Sequence, residues 1–251
     1  STPGDVTCSR GRPSYWWRSG QQRRLQMVLQ HVELQGRQVL DAGCGVGTYT
    51  HALGQVGARA LGIDLEAERV QRGSEAASTA AFAVASAERL PCAANAFDVV
   101  FSHEVIEHVE DDGAALAEAC RVLRPGGCLV LFAPNRGFPF ETHGIIWRGR
   151  YRFGNVPLVN WLPDALRNRL APHVRAYTAG GLRRLIAANQ MEIRHHSQIF
   201  PGFDRLEDQR PALGRLLRSF TYILERTPLR VFGISHFVIA SKRGPENRPT
   251  A

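Results

Sequence analysis

The sequence has little lysine and cysteine, and it has no long apolar run. Lys242 is the single lysine among 31 basic residues, and no stretch reaches the roughly 18 apolar residues of a membrane-spanning helix. The five cysteines are odd in number and include no C-x-x-C pair; they are Cys8, Cys44, Cys92, Cys120 and Cys128. This usage argues against a disulfide framework or a zinc finger and is typical of a reducing cytoplasm.

The beginning of the chain lacks the features of a secretion signal. Ser1-Thr2-Pro3-Gly4 has neither a basic start nor an apolar core. The 251 residues, 44% of them hydrophobic, suffice for one well-buried domain with an elaboration. We therefore expect one cytoplasmic domain over residues 1–251. Residues 1–20 are predicted to form an N-terminal arm, whose Tyr15-Trp16-Trp17 either packs on the body or folds over a ligand.

Charge is distributed unevenly along the chain. Residues 1–135 contain 12 basic and 15 acidic residues, whereas residues 136–251 contain 19 basic and eight acidic residues. A basic second half suits an anionic partner. A solvated, arginine-rich surface is the alternative interpretation.

Short apolar runs alternate with helical patterns along the chain. The predicted strands are 37–41, 58–63, 81–85, 97–102, 128–133, 191–200 and 231–241, and the predicted helices are 21–34, 66–77, 111–123, one from Tyr177-Thr178, and 210–225. Asp112 is the expected cap of the third helix, which Arg124-Pro125-Gly126-Gly127 should end. Such alternation predicts an α/β fold with a doubly wound, mostly parallel sheet.

Residues 134–177 interrupt this rhythm with proline, glycine, arginine and aromatic residues. Ligands of such sheets bind beyond the carboxyl ends of the strands, and an insertion after the fifth strand lies at that edge. We interpret residues 134–177 as a substrate lid. Its aromatic side chains suit an apolar acceptor, although core packing is an equal interpretation for each of them: Phe138, Phe140, Trp147, Tyr151, Phe153 and Trp161.

The stretch Val39–Thr50 combines an apolar strand with a glycine-rich turn before a helix-like segment. Glycine permits sharp turns and a close approach of ligands, and the following helix N-terminus suits a nucleotide-like ligand. Asp64 follows the second strand, 23 residues after Asp41, where an acid can accept hydrogen bonds from a ribose diol. A plain dinucleotide-binding fold is the alternative, but its G-x-G-x-x-G spacing is not matched.

Four segments in this order resemble the signature segments of class I S-adenosylmethionine (SAM) methyltransferases: Val39–Thr50, Leu61–Leu65, Phe97–His108 and Val122–Pro134. The resemblance implies a seven-stranded sheet of order 3-2-1-4-5-7-6 with an antiparallel last strand, and SAM as the cofactor. The cofactor-binding residues that it implies are Asp41, Gly43, Gly45, Gly47, Asp64, Leu65, Ser86, Ala87, Glu88 and Ser102. Ser86 stands where such enzymes often have an aspartate that pairs with adenine.

The segment after the fourth strand carries an E-x-x-E-H pattern at the expected position of the methyl group. If this segment is helical, Glu104, Glu107 and His108 share one face, and His143 at the start of the lid closes over the same point. Such a donor set suits Mg²⁺, Mn²⁺, Fe²⁺ or Zn²⁺, any of which lowers the pKa of a bound hydroxyl. The alternative is a metal-free site in which His103 or His108 is the catalytic base.

The E-x-x-E-H pattern resembles that of the metal-dependent O-methyltransferases of ubiquinone biosynthesis. This resemblance implies O-methylation of a hydroxyl, also one of a vicinal pair, on a small-molecule or lipid-like acceptor. RNA 3′-terminal 2′-O-methyltransferases share the pattern, and the basic second half suits phosphates. No separate RNA-binding module is evident, so nucleic acid is not the expected partner. A SAM-binding protein without catalysis is the third alternative.

The segment from Arg210 to Arg226 has an apolar stripe flanked by arginines. The stripe consists of Leu213, Leu216, Leu217, Phe220 and Ile223. Two interpretations remain open: a helix packed on the edge of the sheet, or a helix that makes peripheral contact with a membrane. The predicted localisation is cytoplasmic in both cases.

Overall fold

The computed structural model describes residues 19–76 and 79–243. The helices are α1 (Ser19–Leu29), α2 (Thr48–Gln55), α3 (Ala67–Glu75), α4 (Asp112–Val122), α5 (Asp164–Leu170), α6 (Ala179–Ala188), α7 (Asp204–Gln209) and α8 (Pro211–Leu224). The strands are β1 (Gln38–Ala42), β2 (Arg59–Asp64), β3 (Ala80–Val84), β4 (Phe97–His103), β5 (Leu123–Pro134), β6 (Phe140–Glu141), β7 (Ile145–Trp147), β8 (Arg150–Arg152), β9 (Val156–Pro157), β10 (Met191–Ile199) and β11 (Ser235–Lys242). Tyr15-Trp16-Trp17 lies outside the described residues, so the N-terminal arm stays a prediction.

Seven strands form one sheet in the order β3-β2-β1-β4-β5-β11-β10. The first five strands of this sheet are parallel, and β11 pairs antiparallel with both β5 and β10. Since β11 is the last strand in the chain and β10 precedes it, this is the predicted order 3-2-1-4-5-7-6. The predicted fold class is confirmed.

Both faces of the sheet are covered by apolar side chains, which is why its central strands read as continuous hydrophobic runs. Along β5, Leu129 and Leu131 point into one core and Val130 and Phe132 point into the other, because successive side chains of a strand alternate. The first core also contains side chains from α4 and α6, and the second contains side chains from α1 and α2. The parallel strands therefore end together at one edge between two helical layers.

Several element boundaries differ from the predicted ones. Asp111, not Asp112, caps α4, since its carboxylate accepts a hydrogen bond of 2.9 Å from the backbone N–H of Ala114. The segment 124–127 belongs to β5, which begins directly after α4. The last strand begins at Ser235 rather than at residue 231, because residues 228–232 form a 3-10 helix.

The segment after β4 is not helical, which corrects the premise on which the predicted metal-ligand set was built. Glu104 has a φ of 55°, in the left-handed region, and residues 106–108 form a turn. Of the three apolar residues that were expected to point into the core, Ile106 does so, while Val105 and Val109 line a cavity. The spacing of Glu104, Glu107 and His108 therefore does not place them on one helical face.

Residues 134–177 contain two small antiparallel hairpin-like pairs in place of a long irregular lid. β6 pairs with β9, and β7 pairs with β8. A 3-10 helix (Val159–Trp161) and α5 follow. The segment returns to the sheet at Tyr177, whose backbone N–H donates to the carbonyl of Pro134 at 2.9 Å. Its first and last residues are thus held next to each other at the carboxyl end of β5.

The apolar stripe of the predicted helix 210–225 is turned towards solvent. In α8 the buried residues are Gly214 and Thr221, whereas Leu216, Phe220 and Ile223 are each more than half exposed. Packing of this stripe on the sheet edge, the first of the two interpretations, is wrong for these side chains. Within residues 19–76 and 79–243, no helix is both long and apolar enough to cross a membrane.

The loop between β1 and α2 needs glycine at its first turn. Gly43 has a φ of 84°, and a Cβ atom there would lie 2.4 Å from Cγ2 of Val105. Gly36 has a similar φ of 72°, but no atom lies within 4 Å of the Cβ position. A side chain at either position would strain the backbone, but only at Gly43 would its Cβ atom also clash with other atoms.

We expect Gly43→Ala to lower the free energy of unfolding by about 1–3 kcal/mol more than Gly36→Ala does, because only the first also overpacks its surroundings. Both variants carry the left-handed strain of about 1–2 kcal/mol. Urea unfolding measures the two values, and Gly43→Ala combined with Val105→Ala should recover part of the loss. Equal destabilisation by the two single substitutions would contradict the contact with Val105.

Candidate functional site

A cavity of about 720 Å³ lies at the carboxyl ends of β1, β2 and β4. Most of the residues predicted from the sequence line it: Asp41, Gly43, Gly45, Asp64, Leu65, Ser86, Ala87, Glu88, His103, Glu104, His108 and His143. Three of the predicted residues do not line it within the described chain: Gly47 precedes α2, and Ser102 and Glu107 are buried behind the wall. The strand ends therefore bring residues about 100 positions apart into one site.

Asp41 is a buried carboxyl group at the floor of this cavity. Its Oδ2 accepts a hydrogen bond of 2.6 Å from the hydroxyl of Thr50 in α2. Burial is the largest cause that raises the pKa of Asp41 to about 7, and the negative charge of Asp64 adds to it. A cationic group brought into the cavity would favour the ionised form, since an opposite charge at short distance stabilises a carboxylate.

Asp64, at the end of β2, holds the glycine-rich loop. Its Oδ2 accepts from the backbone N–H of Gly45, and its Oδ1 accepts from the N–H of Glu66, both at 2.9 Å. A carboxylate oxygen has a second lone pair, so each oxygen can still accept from a ribose hydroxyl. Leu65, which is 47% exposed, covers the neighbouring wall of the cavity.

The far wall of the cavity is formed by the turn Ser86–Glu88. The hydroxyl of Ser86 accepts a hydrogen bond of 3.2 Å from the N–H of Glu88, and Oε1 of Glu88 accepts one of 2.7 Å from the N–H of Asp111. Glu88 therefore ties this turn to the start of α4. Ser86 and Ala87 face the cavity without a carboxylate at position 86, as the sequence indicated.

His103 lies among aromatic rings at the end of β4. Its ring centroid is 4.7 Å from that of Tyr49 and 5.2 Å from that of Phe132. Burial, with the nearby charge of Arg24, lowers the pKa of His103 to about 3, and its Nε2 has no hydrogen-bond partner among the described residues. His103 is thus a neutral and weakly basic imidazole at physiological pH.

Three side chains with metal-ligating atoms converge beside His103. One ligand atom each of Glu107, His108 and His143 lies within 4.8 Å of the other two. Both carboxylate oxygens of Glu107 are buried, and neither makes a hydrogen bond of normal geometry with the described residues. Burial, followed by the charge of Glu104, raises the pKa of Glu107 well above its ordinary value. An unpartnered buried carboxyl next to two imidazoles fits a divalent cation.

Glu104 does not belong to this three-residue cluster. Its Oε1 accepts a hydrogen bond of 2.7 Å from the hydroxyl of Ser235, at the start of β11. The charge of its carboxylate nevertheless lies close enough to Glu107 to help raise the pKa of that carboxyl group. The structure brings together three of the four predicted metal ligands.

His143 is oriented by a buried network within the lid segment. Its Nδ1 lies 3.1 Å from Oε1 of Glu141, which leaves Nε2 as its ligand atom. Oε2 of Glu141 accepts a hydrogen bond of 2.8 Å from Nη2 of Arg167, and both side chains are almost completely buried. A carboxylate that holds the second nitrogen of a histidine fixes its tautomer and orientation, as in many metal sites.

Sequence reasoning missed the residues that hold the site residues in place. These are Thr50 for Asp41, Glu141 and Arg167 for His143, and Ser235 for Glu104. The acid two residues before His143 was a weak local signal for one of them. Thr50 ends the motif stretch nine residues after Asp41, whereas Arg167 and Ser235 are distant in the chain from the groups they contact, and no spacing indicates them.

We expect the ligand-free protein to lose stability as the pH rises from 4 to 7. The loss is measured as the difference between its free energy of unfolding and that of Asp41→Asn. The folded-state pKa of Asp41 is raised from 3.8 to about 7, so the contribution of its neutral form is complete below pH 3.8 and is lost through pH 7. A pKa difference of about three units corresponds to a stability difference of at most about 4 kcal/mol. Urea unfolding at pH 4.5, 6 and 8 measures the slope.

The control for this pH dependence is Asp98→Asn. Burial raises the pKa of Asp98, but hydrogen bonds from Gln38 and Arg124 outweigh it and hold the pKa below its ordinary value. The stability that ionised Asp98 contributes is therefore lost only at acidic pH. The difference in free energy of unfolding between Asp98→Asn and the unmodified protein should stay constant between pH 5 and 8. A flat difference for Asp41→Asn as well would contradict the raised pKa.

Asp64→Ala should weaken SAM binding about tenfold to a hundredfold, because the ribose and the glycine-rich loop both lose a charged acceptor. Glu68→Ala is the matched control, since Glu68 is an exposed acid of α3 whose partner is Arg72, four residues on. Isothermal titration calorimetry measures both dissociation constants. Unchanged affinity in Asp64→Ala would remove this residue from the cofactor site.

Comparison with known proteins identifies the central part of the chain. Residues 40–131 match the family described as "Methyltransferase domain". A ubiquinone biosynthesis O-methyltransferase of Methylococcus capsulatus is 38% identical over 118 residues, which are 45% of this chain and 50% of the relative. One of Agrobacterium fabrum is 27% identical over 71% of this chain and 68% of its own length. The chain thus spans about half the length of the first of these curated relatives.

Solved structures share the fold over nearly the whole described chain. A SAM-dependent methyltransferase from Mesorhizobium loti superposes with a TM-score of 0.62 at 20% identity, covering 88% of this chain and 97% of its own. The [4+2]-cyclase SpnF superposes with a TM-score of 0.59 at 18% identity, covering 89% and 81%. The second similarity shows that this fold alone does not specify the reaction.

The matched domain also contains the motif residues that line the cavity, from Asp41 to His108. The solved structures that share this fold include SAM-dependent methyltransferases, in line with the cofactor that the motifs imply. We conclude that residues 40–131 form a methyltransferase domain, that the chain has the fold of class I SAM-dependent methyltransferases, and that it resembles the ubiquinone biosynthesis O-methyltransferases.

Proposed function

We propose that the protein transfers the methyl group of SAM to one hydroxyl of a vicinal pair on a small, apolar acceptor, with a divalent cation held by Glu107, His108 and His143. The observation that carries this proposal is the convergence of these three side chains beside the cofactor cavity. The E-x-x-E-H segment supplies two of them, and residues 134–177 supply the third.

The histidines alone would be weak catalytic bases. Burial lowers the pKa of His103 to about 3 and, together with the neighbouring His143, lowers that of His108 to about 4. General base catalysis is most efficient when the pKa of the base lies near the working pH. A neutral imidazole is, however, a good metal ligand. The low basicity of His103 and His108 therefore favours the metal-assisted reaction over the metal-free alternative.

The protein groups have separate tasks in this reaction. A bound divalent cation would supply Lewis acidity that lowers the pKa of a coordinated hydroxyl. Glu107 offers two buried oxygens, His108 offers a neutral ring, and Glu141 keeps Nδ1 of His143 engaged so that Nε2 faces the cluster. Asp41 and Asp64 orient the cofactor from the opposite side. Such alignment of two reactants removes several kcal/mol from a displacement barrier, up to roughly 7–11 kcal/mol in ideal cases.

The acceptor side of the cavity is partly apolar. Val105, Val109 and Phe153 line it next to the polar side chains of Thr142 and His143. Phe153 is 63% exposed and belongs to the segment between β8 and β9. The relatives named for ubiquinone biosynthesis support an aromatic acceptor with neighbouring hydroxyls and an apolar substituent. We propose an alkylated catechol as the probe substrate.

We expect exhaustive chelation to abolish methyl transfer to a 4-alkylcatechol, and added Mg²⁺, Mn²⁺ or Zn²⁺ to restore it. Glu107→Ala should reduce kcat at least a hundredfold, because the cluster loses its carboxylate ligand, while SAM affinity stays within about threefold. Radiolabelled methyl transfer gives the rate, and calorimetry gives the affinities for SAM and the metal.

Glu110→Gln is the matched control for this experiment. Glu110 is exposed and lines the same cavity three residues away, but it lies outside the cluster of Glu107, His108 and His143. Its substitution should leave the metal dependence unchanged. Full activity of the chelated enzyme or of Glu107→Ala would refute the metal-assisted reaction and return the role of base to His103 or His108.

A further inference from the structure

A group of large apolar side chains is exposed without lining the cofactor cavity. We call it the α8 face and define it by its members, each at least 38% exposed: Leu213, Leu216, Phe220 and Ile223 in α8, Leu229, Val231 and Phe232 in or beside the 3-10 helix 228–232, and Trp161. Single exposed apolar residues are ordinary, but a group of eight marks an interaction site.

The α8 face is one connected surface. α8 is followed after three residues by the 3-10 helix 228–232, with which it is in contact. The ring of Phe232 lies 6.1 Å from that of Trp161, centroid to centroid. Asn135 holds the carbonyls of Val231 and Gly233 at 2.8 and 2.7 Å, which fixes the 3-10 helix against the beginning of the lid segment. The face thus extends from α8 to residues 134–177.

The exposed charged residues of this region are mostly arginines, with Asp208 in the adjacent α7 as an exposed acid. The carboxylate of Glu225 forms an ion pair with Arg23 and accepts a hydrogen bond from the N–H of Phe200. The carboxylate of Glu207 forms an ion pair with Arg218. Four arginines are exposed and have no carboxylate partner among the described residues: Arg210, Arg215, Arg226 and Arg230. Arg215 lies in α8 between Leu213 and Leu216, and Arg226 lies two residues after the end of α8. Long arginine side chains next to an apolar stripe reach a charged interface.

The charge of the face decides between the partners that could cover it. A second copy of the chain would bring the same arginines against themselves. The chain's own residues 1–18 have three arginines and one aspartate, so they are basic as well. An anionic surface is complementary, since the whole second half of the chain has 19 basic and eight acidic residues.

We propose that the α8 face is a docking surface for an anionic phospholipid membrane. Its apolar stripe has the spacing 3-4-3 along α8, which puts Leu213, Leu216, Phe220 and Ile223 on one side of the helix. A helix with such a stripe and adjacent arginines lies in the interface, with its apolar side among the acyl chains and its arginines at the headgroups. This binding needs neither SAM nor an acceptor, so it is independent of the proposed reaction.

Vesicle co-sedimentation of the 251-residue chain tests the proposal. The protein should bind vesicles of 70% phosphatidylcholine and 30% phosphatidylglycerol at 0.1 M salt, bind them less at 0.5 M salt, and bind pure phosphatidylcholine weakly. Leu216→Ser combined with Phe220→Ser should reduce the partition coefficient at least tenfold. Arg215→Gln and Arg226→Gln should each reduce it about fivefold on anionic vesicles only.

The matched controls are Val84→Ser and Arg59→Gln. Both residues are exposed, and they lie on β3 and β2, at the opposite end of the sheet from β10. Neither substitution should change vesicle binding. Quenching of Trp161 fluorescence by brominated lipid, compared with Trp161→Phe, reports insertion directly. An absence of vesicle binding, or unchanged binding by the Leu216 and Phe220 variant, would overturn the proposal. So would a concentration-dependent dimer that these two substitutions dissociate, since it would assign the face to a second copy.

Discussion

Two buried carboxyl groups at adjacent strand ends hold the site together. Asp64 accepts hydrogen bonds from the backbone N–H groups of Gly45 and Glu66, and Asp41 accepts one from Thr50 in α2. The loop between them thus has its conformation set by acids that also face the cofactor cavity. Burial opposes the ionisation of Asp41, so a cationic cofactor and this carboxyl group would stabilise each other.

The reacting side of the cavity depends on a second buried network that joins the lid segment to the end of β4. Arg167 and Glu141 form an ion pair away from solvent, and Glu141 orients His143 towards Glu107 and His108. A buried ion pair contributes little net stability, but it fixes geometry. Rigid support of this kind is what a catalytic or metal-binding group needs, because an error of 1 Å in placement costs much of the rate.

Much of the fold was predictable because its signals are local. The alternation of apolar runs and helical patterns over residues 21–135 depends on the burial of both sheet faces, and the strand order agrees with that of the family that the motifs resemble. The boundaries were less predictable. Whether Asp111 or Asp112 caps α4 depends on a single hydrogen bond to Ala114, and the start of β11 depends on how Asn135 holds the preceding 3-10 helix.

The sequence by itself determined the glycine-rich loop, the acids Asp41 and Asp64 and the histidine-rich segment after β4, because backbone conformation and chemical type impose these residues locally. Only the tertiary structure decided which of them meet. Glu104 accepts a hydrogen bond from Ser235, and its left-handed rather than helical backbone keeps it off a shared helical face with Glu107 and His108. His143 reaches Glu107 and His108 through Arg167 and Glu141, and α8 exposes its apolar stripe because Gly214 and Thr221 face inwards. Contacts between residues far apart in the chain depend on packing, which no local spacing encodes.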